Sequence, residues 1–463
     1  MAYPRTVEAN DTTTFAGHTL DRSVLPLLLT LGLGVFLGAL DLSVLAPALP
    51  ALGKEFTVAT GDLSWVFTIY LLVNIVGIAV MSTLADRYGR RPIYIACVSI
   101  FVAGSALAVV SHDYGLFLVA RAIQAFGAGG IFPVATAAIG DAVPPQRRGA
   151  ALGLVAATWG LAAVLGPVYG GLVTHLASWR FIFAPNFPIA ALVLVLAVRH
   201  VPTNAPRARA PLDVPGLFLL CIGLLFLMYG ITGAHVVTIA FGLLLLAGFV
   251  MWQRTCRYPI VPPALFENTQ LAKTFGLEVL IGVLEGSLFF IPAVLVGAQH
   301  ISYAAAGVIA AVGAFMFVAV IPGSGRALDR IGSRDVLLAG TIFTEAGLVI
   351  FALCFNSLGL SVVAMIVAGI GFGALLGAPS RYIVTNETTE RTRATAIGLL
   401  SQFLIVGQII GGSLAGGIMG HALSDAAAYR DTYLAFAGVA LLALALASTL
   451  ADRREEIRAA VTE

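Results

Sequence analysis

Apolar runs of 18 or more residues, each closed by a short polar or Gly/Pro-rich stretch, recur along nearly the whole chain. At about 1.5 Å per helical residue, a run of that length crosses a hydrocarbon core of roughly 30 Å. The pattern predicts fourteen spans, near 24–49, 61–83, 92–110, 115–138, 149–174, 180–199, 213–231, 235–252, 270–297, 303–323, 335–355, 358–379, 394–418 and 431–450. The expected fold class is an all-α polytopic membrane protein.

Composition narrows this further. Of 463 residues, 59% are hydrophobic and 11% charged, with a mean hydropathy of +0.96, more apolar surface than a soluble domain can hide. A net charge of +2 gives no basic field for nucleic acid. Residues 1–23 are polar and lack the apolar centre of a cleaved signal, so they are expected to form a short disordered cytoplasmic tail. Cys97, Cys221 and Cys354 sit in apolar runs and Cys256 in a loop, without CxxC spacing, and the histidines do not cluster; no metal site is expected. GxxxxGK[ST] is absent, which argues against ATP-driven pumping, and no nucleophile–base set at membrane depth points to an enzyme.

Charge also sets the orientation. With the N-terminus in the cytoplasm, 22 of the 26 Lys and Arg residues fall in cytoplasmic loops, tails or adjoining helix ends, the exceptions being Lys54, Arg121, Arg180 and Arg430. That asymmetry follows the positive-inside rule and favours an even number of spans, with both termini in the cytoplasm.

The chain repeats itself. "LADRYGRR" (84–91) aligns with "ALDRIGSR" (327–334), pairing Asp86, Arg87, Gly89 and Arg91 with Asp329, Arg330, Gly332 and Arg334; "RRGAALGL" (147–154) resembles "TRATAIGL" (392–399) at nearly the same separation, about 245 residues. Parallel repeats of this kind describe two six-helix halves related by an axis along the membrane normal. The expected organisation is a tail at 1–23, bundles at 24–199 and 270–450, linkers at 200–212 and 253–269, two additional helices within 213–252 beside the core, and a cytoplasmic tail at 451–463.

Ionisable groups inside the bilayer cost at least about 2.5 kcal/mol on insertion scales, so they mark function or pairing. Asp41, Arg121, Glu278, Glu285 and Glu345 qualify. Asp41 and Arg121 lie at comparable depth and can reach each other; a carboxylate under opposing pressures from desolvation and a nearby cation can change its proton affinity as a cavity wets and closes. Glu278 and Glu285, seven apart, share one helix face and suggest a proton path. For Glu345, structural pairing and function stay equally open. Aromatics and amides such as Tyr70, Trp159, Asn186, Phe289, Phe290 and Gln408 can line an apolar cavity, and Asn74, Gln124 and Gln402 are selected as cavity candidates because an amide in lipid requires a partner.

Four stretches carry a resemblance. "STLADRYGRRPIYI" (82–95) matches GxLaDrxGrkxxl with Ser82 for the first glycine; "LVARAIQAFGAGG" (118–130) matches RxxqGxga with Ala125 for the first glycine; "WGLAAVLGPVYGGLV" (159–173) matches gxxxGPxxGG through Gly166, Pro167, Gly170 and Gly171; "LDLSVLAPALP" (40–50) resembles lDxtivnvAlP. In this order the chain resembles the major facilitator superfamily, specifically its fourteen-helix drug:proton antiporter branch, over nearly its whole length.

The resemblance implies a proton-coupled antiporter of the inner (cytoplasmic) cell membrane that exports amphipathic, hydrophobic or cationic compounds by alternating access, or alternatively exports lipids or lipid-linked molecules. It implies no cofactor beyond protons as the coupling ion, a small amphipathic or lipid substrate in the bilayer, and a monomer. Asp86, Arg87, Gly89, Arg90, Arg91, Asp329, Arg330 and Arg334 are expected to gate the cytoplasmic side, with Asp86 reaching the helix at 394–418 in one conformation only. Ser333 weakens the basic cluster of the second half.

Overall fold

The computed structural model describes residues 12–15, 18–21, 24–203, 212–422 and 424–453. Fourteen helices among them are long and apolar enough to cross a membrane: α1 Leu25–Phe56, α2 Asp62–Tyr88, α3 Arg90–Val110, α4 Tyr114–Ala142, α5 Ala151–Leu176, α6 Trp179–His200, α7 Val214–Thr232, α8 Val236–Thr255, α9 Thr269–Gln299, α10 Tyr303–Ile331, α11 Ser333–Cys354, α12 Leu358–Asn386, α13 Thr395–His421 and α14 Asp425–Ser448. The expected count holds, but several ends move outward. α10 runs to Ile331 instead of 323 and α12 to Asn386 instead of 379, because hydropathy marks the lipid-facing length while backbone hydrogen bonding continues until something stops it. Gly89 stops α2 at φ +98° and Gly332 stops α10 at φ +90°, conformations that a residue with a Cβ adopts only under strain.

The N-terminal segment departs from the expected structureless tail. Thr12–Phe15 and His18–Asp21 pair antiparallel as β1 and β2. Residues 204–211 of the expected linker and 454–463 of the expected tail lie outside the described residues.

The packing repeats with the sequence. α1 packs on α5 and α6, α4 on α2 and α3, and α3 on α6; their counterparts pair identically, α9 with α13 and α14, α12 with α10 and α11, and α11 with α14. Local breaks repeat too. α1 tightens to a 3-10 turn at Ala46–Ala48 around Pro47, and α9 does so at Ser287–Phe290 before Pro292.

Two seams join the halves: α5 against α10 and α2 against α13. At the end away from residues 24 and 453, hereafter the far end, they are sealed backbone to backbone. A Cβ on Gly61 would stand 2.6 Å from the Gly416 carbonyl and 2.8 Å from the Gly420 Cα, and Gly171 and Gly307 meet the Tyr303 and Pro167 carbonyls. At the terminal end, Gly153, Gly323, Gly325 and Gly398 have nothing within 4 Å of an added Cβ, so the halves part there.

At the far end Arg180 is held by Glu55 at 2.5 Å and by the carbonyls of Val109 (3.1 Å) and Ser111 (2.9 Å), which accounts for one basic residue on the sparsely charged side.

Candidate transport site

A cavity of about 150 Å³ lies between the halves. α1 contributes Ser43 beside its break, α5 contributes Trp159 and Pro167, and α9 contributes Glu285 and Phe289 around its own break. Ser43 lies just before the α1 break and Glu285 just before the α9 break, so each first helix of a half presents a polar side chain to a wall that is otherwise apolar. Among the described lining residues Glu285 is the only ionisable side chain. Gln408 of α13 donates to its Oε2 at 2.9 Å and also lines the cavity. Ser43 donates to the Ala162 carbonyl at 3.0 Å, tying α1 to α5. Phe289 stacks on Phe67 of α2 at 4.3 Å and 8°, placing an aromatic lid toward the far end.

The other intramembrane acids are distributed differently. Asp41 is 1% and Arg121 0% exposed, and neither is on the cavity wall. The Arg121 guanidinium donates to Asp41 Oδ2 at 2.6 Å; Gln124 and Asn186 donate to Oδ1 at 2.6 and 3.1 Å; both amides also donate to the Ser105 hydroxyl. Arg121 further lies over the Tyr70 ring at 4.2 Å. Sequence depth therefore anticipated the Asp41–Arg121 pair, and the structure encloses it within the first bundle. Glu278 is buried two turns along α9 from Glu285, beside Ser380 and Arg381, where α12 is interrupted at Leu376–Ala378. Glu345 is half-buried on an α11 face that leaves Ile342 and Phe343 exposed, and it does not line the cavity.

Of the three selected amides only Gln124 joins the Asp41 cluster. Asn74 donates to the Ala125 carbonyl at 3.4 Å, joining α2 to α4, and Gln402 is half-buried off the cavity wall. Ser43 and Ser105 were not anticipated, since a serine in a long apolar run carries no periodic signal. Gln408 was recognisable only as one amide among several.

At the terminal end Asp86 pairs with Arg90, which donates to Asp141 at 3.3 Å, while Arg91 donates to the Val201 carbonyl at 2.5 Å. These contacts stay within the first half, matching the parted terminal end. Arg87 lies over the Tyr88 ring at 5.6 Å. In the second half Arg453 donates to the carbonyls of Asp329, at 2.6 Å, and Arg330, closing the equivalent turn, and the Arg334 Nε is buried without a hydrogen-bond partner among the described residues. In α5 the glycines divide the work: Gly166 and Gly170 fit against Ser43 and Val44 of α1, and Gly171 fits against α10, with Pro167 on the cavity wall between them. Among the described residues no group of three or more His, Cys, Asp or Glu side chains is arranged to hold a metal ion.

Comparison with known proteins agrees with this architecture. The chain is 33% identical over 413 residues to an MFS-type transporter, YfiU, of Bacillus subtilis, covering 84% of this chain and 78% of that one. It is 29% identical over 419 residues to a multidrug resistance protein B homolog of Mycobacterium tuberculosis, covering 86% and 76%. Among solved structures it resembles a D-xylose-proton symporter at TM-score 0.71 and 14% identity, covering 94% of this chain and 99% of that one, a likeness of fold alone. The family model for the Major Facilitator Superfamily matches in two overlapping stretches, residues 31–298 and 275–462. A doubled bundle with repeated helix breaks, closed by glycine seams around a cavity, thus comes with matches that span the chain, and the protein is a multi-pass membrane transporter that belongs to the Major Facilitator Superfamily.

Proposed function

We propose that the protein is a proton-coupled antiporter that exports amphipathic cations, with Glu285 as the group that protons and cargo occupy in turn. The carrying observation is that Glu285 is the one ionisable side chain on the described wall of an apolar, aromatic cavity. In such surroundings a lone carboxylate is costly when charged, so it takes up either a proton or a cationic ligand, and two ligands that need the same charge exclude each other. Gln408 holds one carboxylate oxygen, leaving the other for the exchange. Glu278, on the same face of α9 and nearer the terminal end, is the next proton station.

Asp41 takes a different part in this reading. Three donors, Arg121, Gln124 and Asn186, fix it inside the first bundle, where it positions α1. The multidrug resistance relative supports an exporting direction. With the terminal end taken as cytoplasmic by the positive-inside rule, the conformation is open to the cytoplasm and ready to load, in the inner membrane, with no cofactor and no covalent step.

The test is cation-driven proton movement in vesicles containing the purified protein, comparing parent, Glu285→Gln and Asp41→Asn. Glu285→Gln is expected to lose coupling by at least about a hundredfold while a neutral amphiphile still binds; undiminished coupling in Glu285→Gln overturns the assignment. Scrambling of labelled lipid without any response to cations would favour lipid export instead.

A further inference from the structure

The two helices between the halves carry an asymmetry. α7 and α8 form one rigid unit: an added Cβ on Gly230 would stand 2.6 Å from the Ile239 nitrogen, and one on Gly242 2.6 Å from the Leu227 nitrogen. The unit is pinned at its base, where Asp213 accepts from the Gly216 N–H, Trp252 Nε1 and Gln253 Nε2 at 2.9, 2.8 and 2.6 Å. Its α7 face lies over the α2–α13 seam. Leu71 and Leu72 of α2, Leu224 and Leu227 of α7 and Ile409 of α13 share a single apolar core.

The two sides of that core are built differently. Toward α13, backbones touch: a Cβ on Gly417 would be 2.6 Å from the Ile231 carbonyl, and the buried Ser413 hydroxyl sits 2.9 Å from the Met228 sulfur. Toward α2 the contact is between side chains, chiefly Trp65 against Tyr229, rings 6.4 Å apart and tilted by 46°. The close backbone approaches on the α2 side go elsewhere, Gly61, just before α2, against α13 and Gly77 of α2 against α4. A backbone-to-backbone joint cannot slide without losing dense packing, whereas a side-chain face can separate and rejoin.

We propose that α7 is a one-sided latch: it travels with α13, and its face toward α2 engages only while the far end is closed. Opening the far end parts α2 from α13, so the inserted pair adds apolar contact to one conformation alone and favours it. The inference uses the alternating-access part of the proposed function but not the identity of its cargo or ion.

The experiment uses full-length protein in which Cys97, Cys221, Cys256 and Cys354 are replaced by alanine. In one arm, Trp65→Cys with Tyr229→Cys is cross-linked by a short dithiol reagent, and Met228→Cys with Ser413→Cys likewise, before dye transport is measured. The α2–α7 link is expected to stop transport and the α7–α13 link to leave at least about half of it; the reverse order, or equal loss, overturns the latch. In the other arm Ser64→Cys, buried in the seam, reports far-end opening by its rate of maleimide labelling. Adding Tyr229→Ala is expected to raise that rate about two- to tenfold, the range set by losing one aromatic pair. An unchanged rate overturns the latch whether or not any dye is transported, so failure of the transport reading and failure of the latch are read separately.

Discussion

Asp41 and Arg121 show what a single pair inside the bilayer demands of its neighbours. Removing one partner of a buried ion pair leaves the other charge uncompensated, at a cost of about 3–5 kcal/mol. Arg121→Leu is therefore expected to lower the melting temperature of the purified transporter sharply, and adding Asp41→Asn to that background to recover part of the loss; a double variant less stable than Arg121→Leu would show that the Asp41 cluster is held by something other than charge. The pair was legible in the sequence because both residues sit at similar depth in their runs. The rest of the cluster was not. Asn186 lies between Pro185 and Pro188 within α6 and Ser105 lies in an unremarkable apolar run, and only the three-dimensional meeting of α1, α3, α4 and α6 makes them partners. The separation of Asp41 from the cavity, and of Glu285 onto its wall, was equally hidden, since both look alike as lone acids in grease.

Elements were easier to read than their joints. The fourteen spans follow from hydropathy because lipid tolerates no unpaired backbone, and the stops at Gly89 and Gly332 follow from a repeated glycine. What hydropathy does not encode is the side-chain cap. By hydropathy Asp213 is only the first residue of the span at 213–231, yet it is the N-cap of α7 and gathers donors from both inserted helices. Burial pushes its carboxyl upward, but the bonds from Trp252, the Gly216 N–H and Gln253 outweigh that and hold it below its ordinary value of 3.8. A depressed carboxyl stabilises the fold fully above its unfolded pKa and loses that contribution as pH falls through the folded one. Asp213→Ala is expected to cost about 1 kcal/mol as a lost cap and more for the stranded Trp252 and Gln253 donors. Its melting temperature should fall less steeply than the parent's between pH 5 and about pH 3, a difference that thermal scans across that range detect.

The two halves meet through glycine, and that makes the conformational balance of the whole molecule open to a single methyl group. Gly61 faces the Gly416 carbonyl and the Gly420 Cα at 2.6 and 2.8 Å from where a Cβ would stand, and all of these are backbone atoms that cannot rotate away. A side chain at 61 therefore cannot be absorbed locally; the α2 and α13 far ends must separate, which is the motion that opens the cavity on that side. The terminal end offers the control. Gly323 and Gly398 have open space around an added Cβ, so alanine there meets nothing in this conformation. Gly61→Val should thus populate the far-end-open form, seen as faster modification of a seam cysteine and slower modification of a terminal-end one, with the fold intact by melting. Gly398→Ala should leave both rates unchanged. If Gly61→Val instead unfolds the protein while the modification pattern of the surviving fraction matches the parent, the far-end seam is part of a fixed core and not a surface that parts during transport.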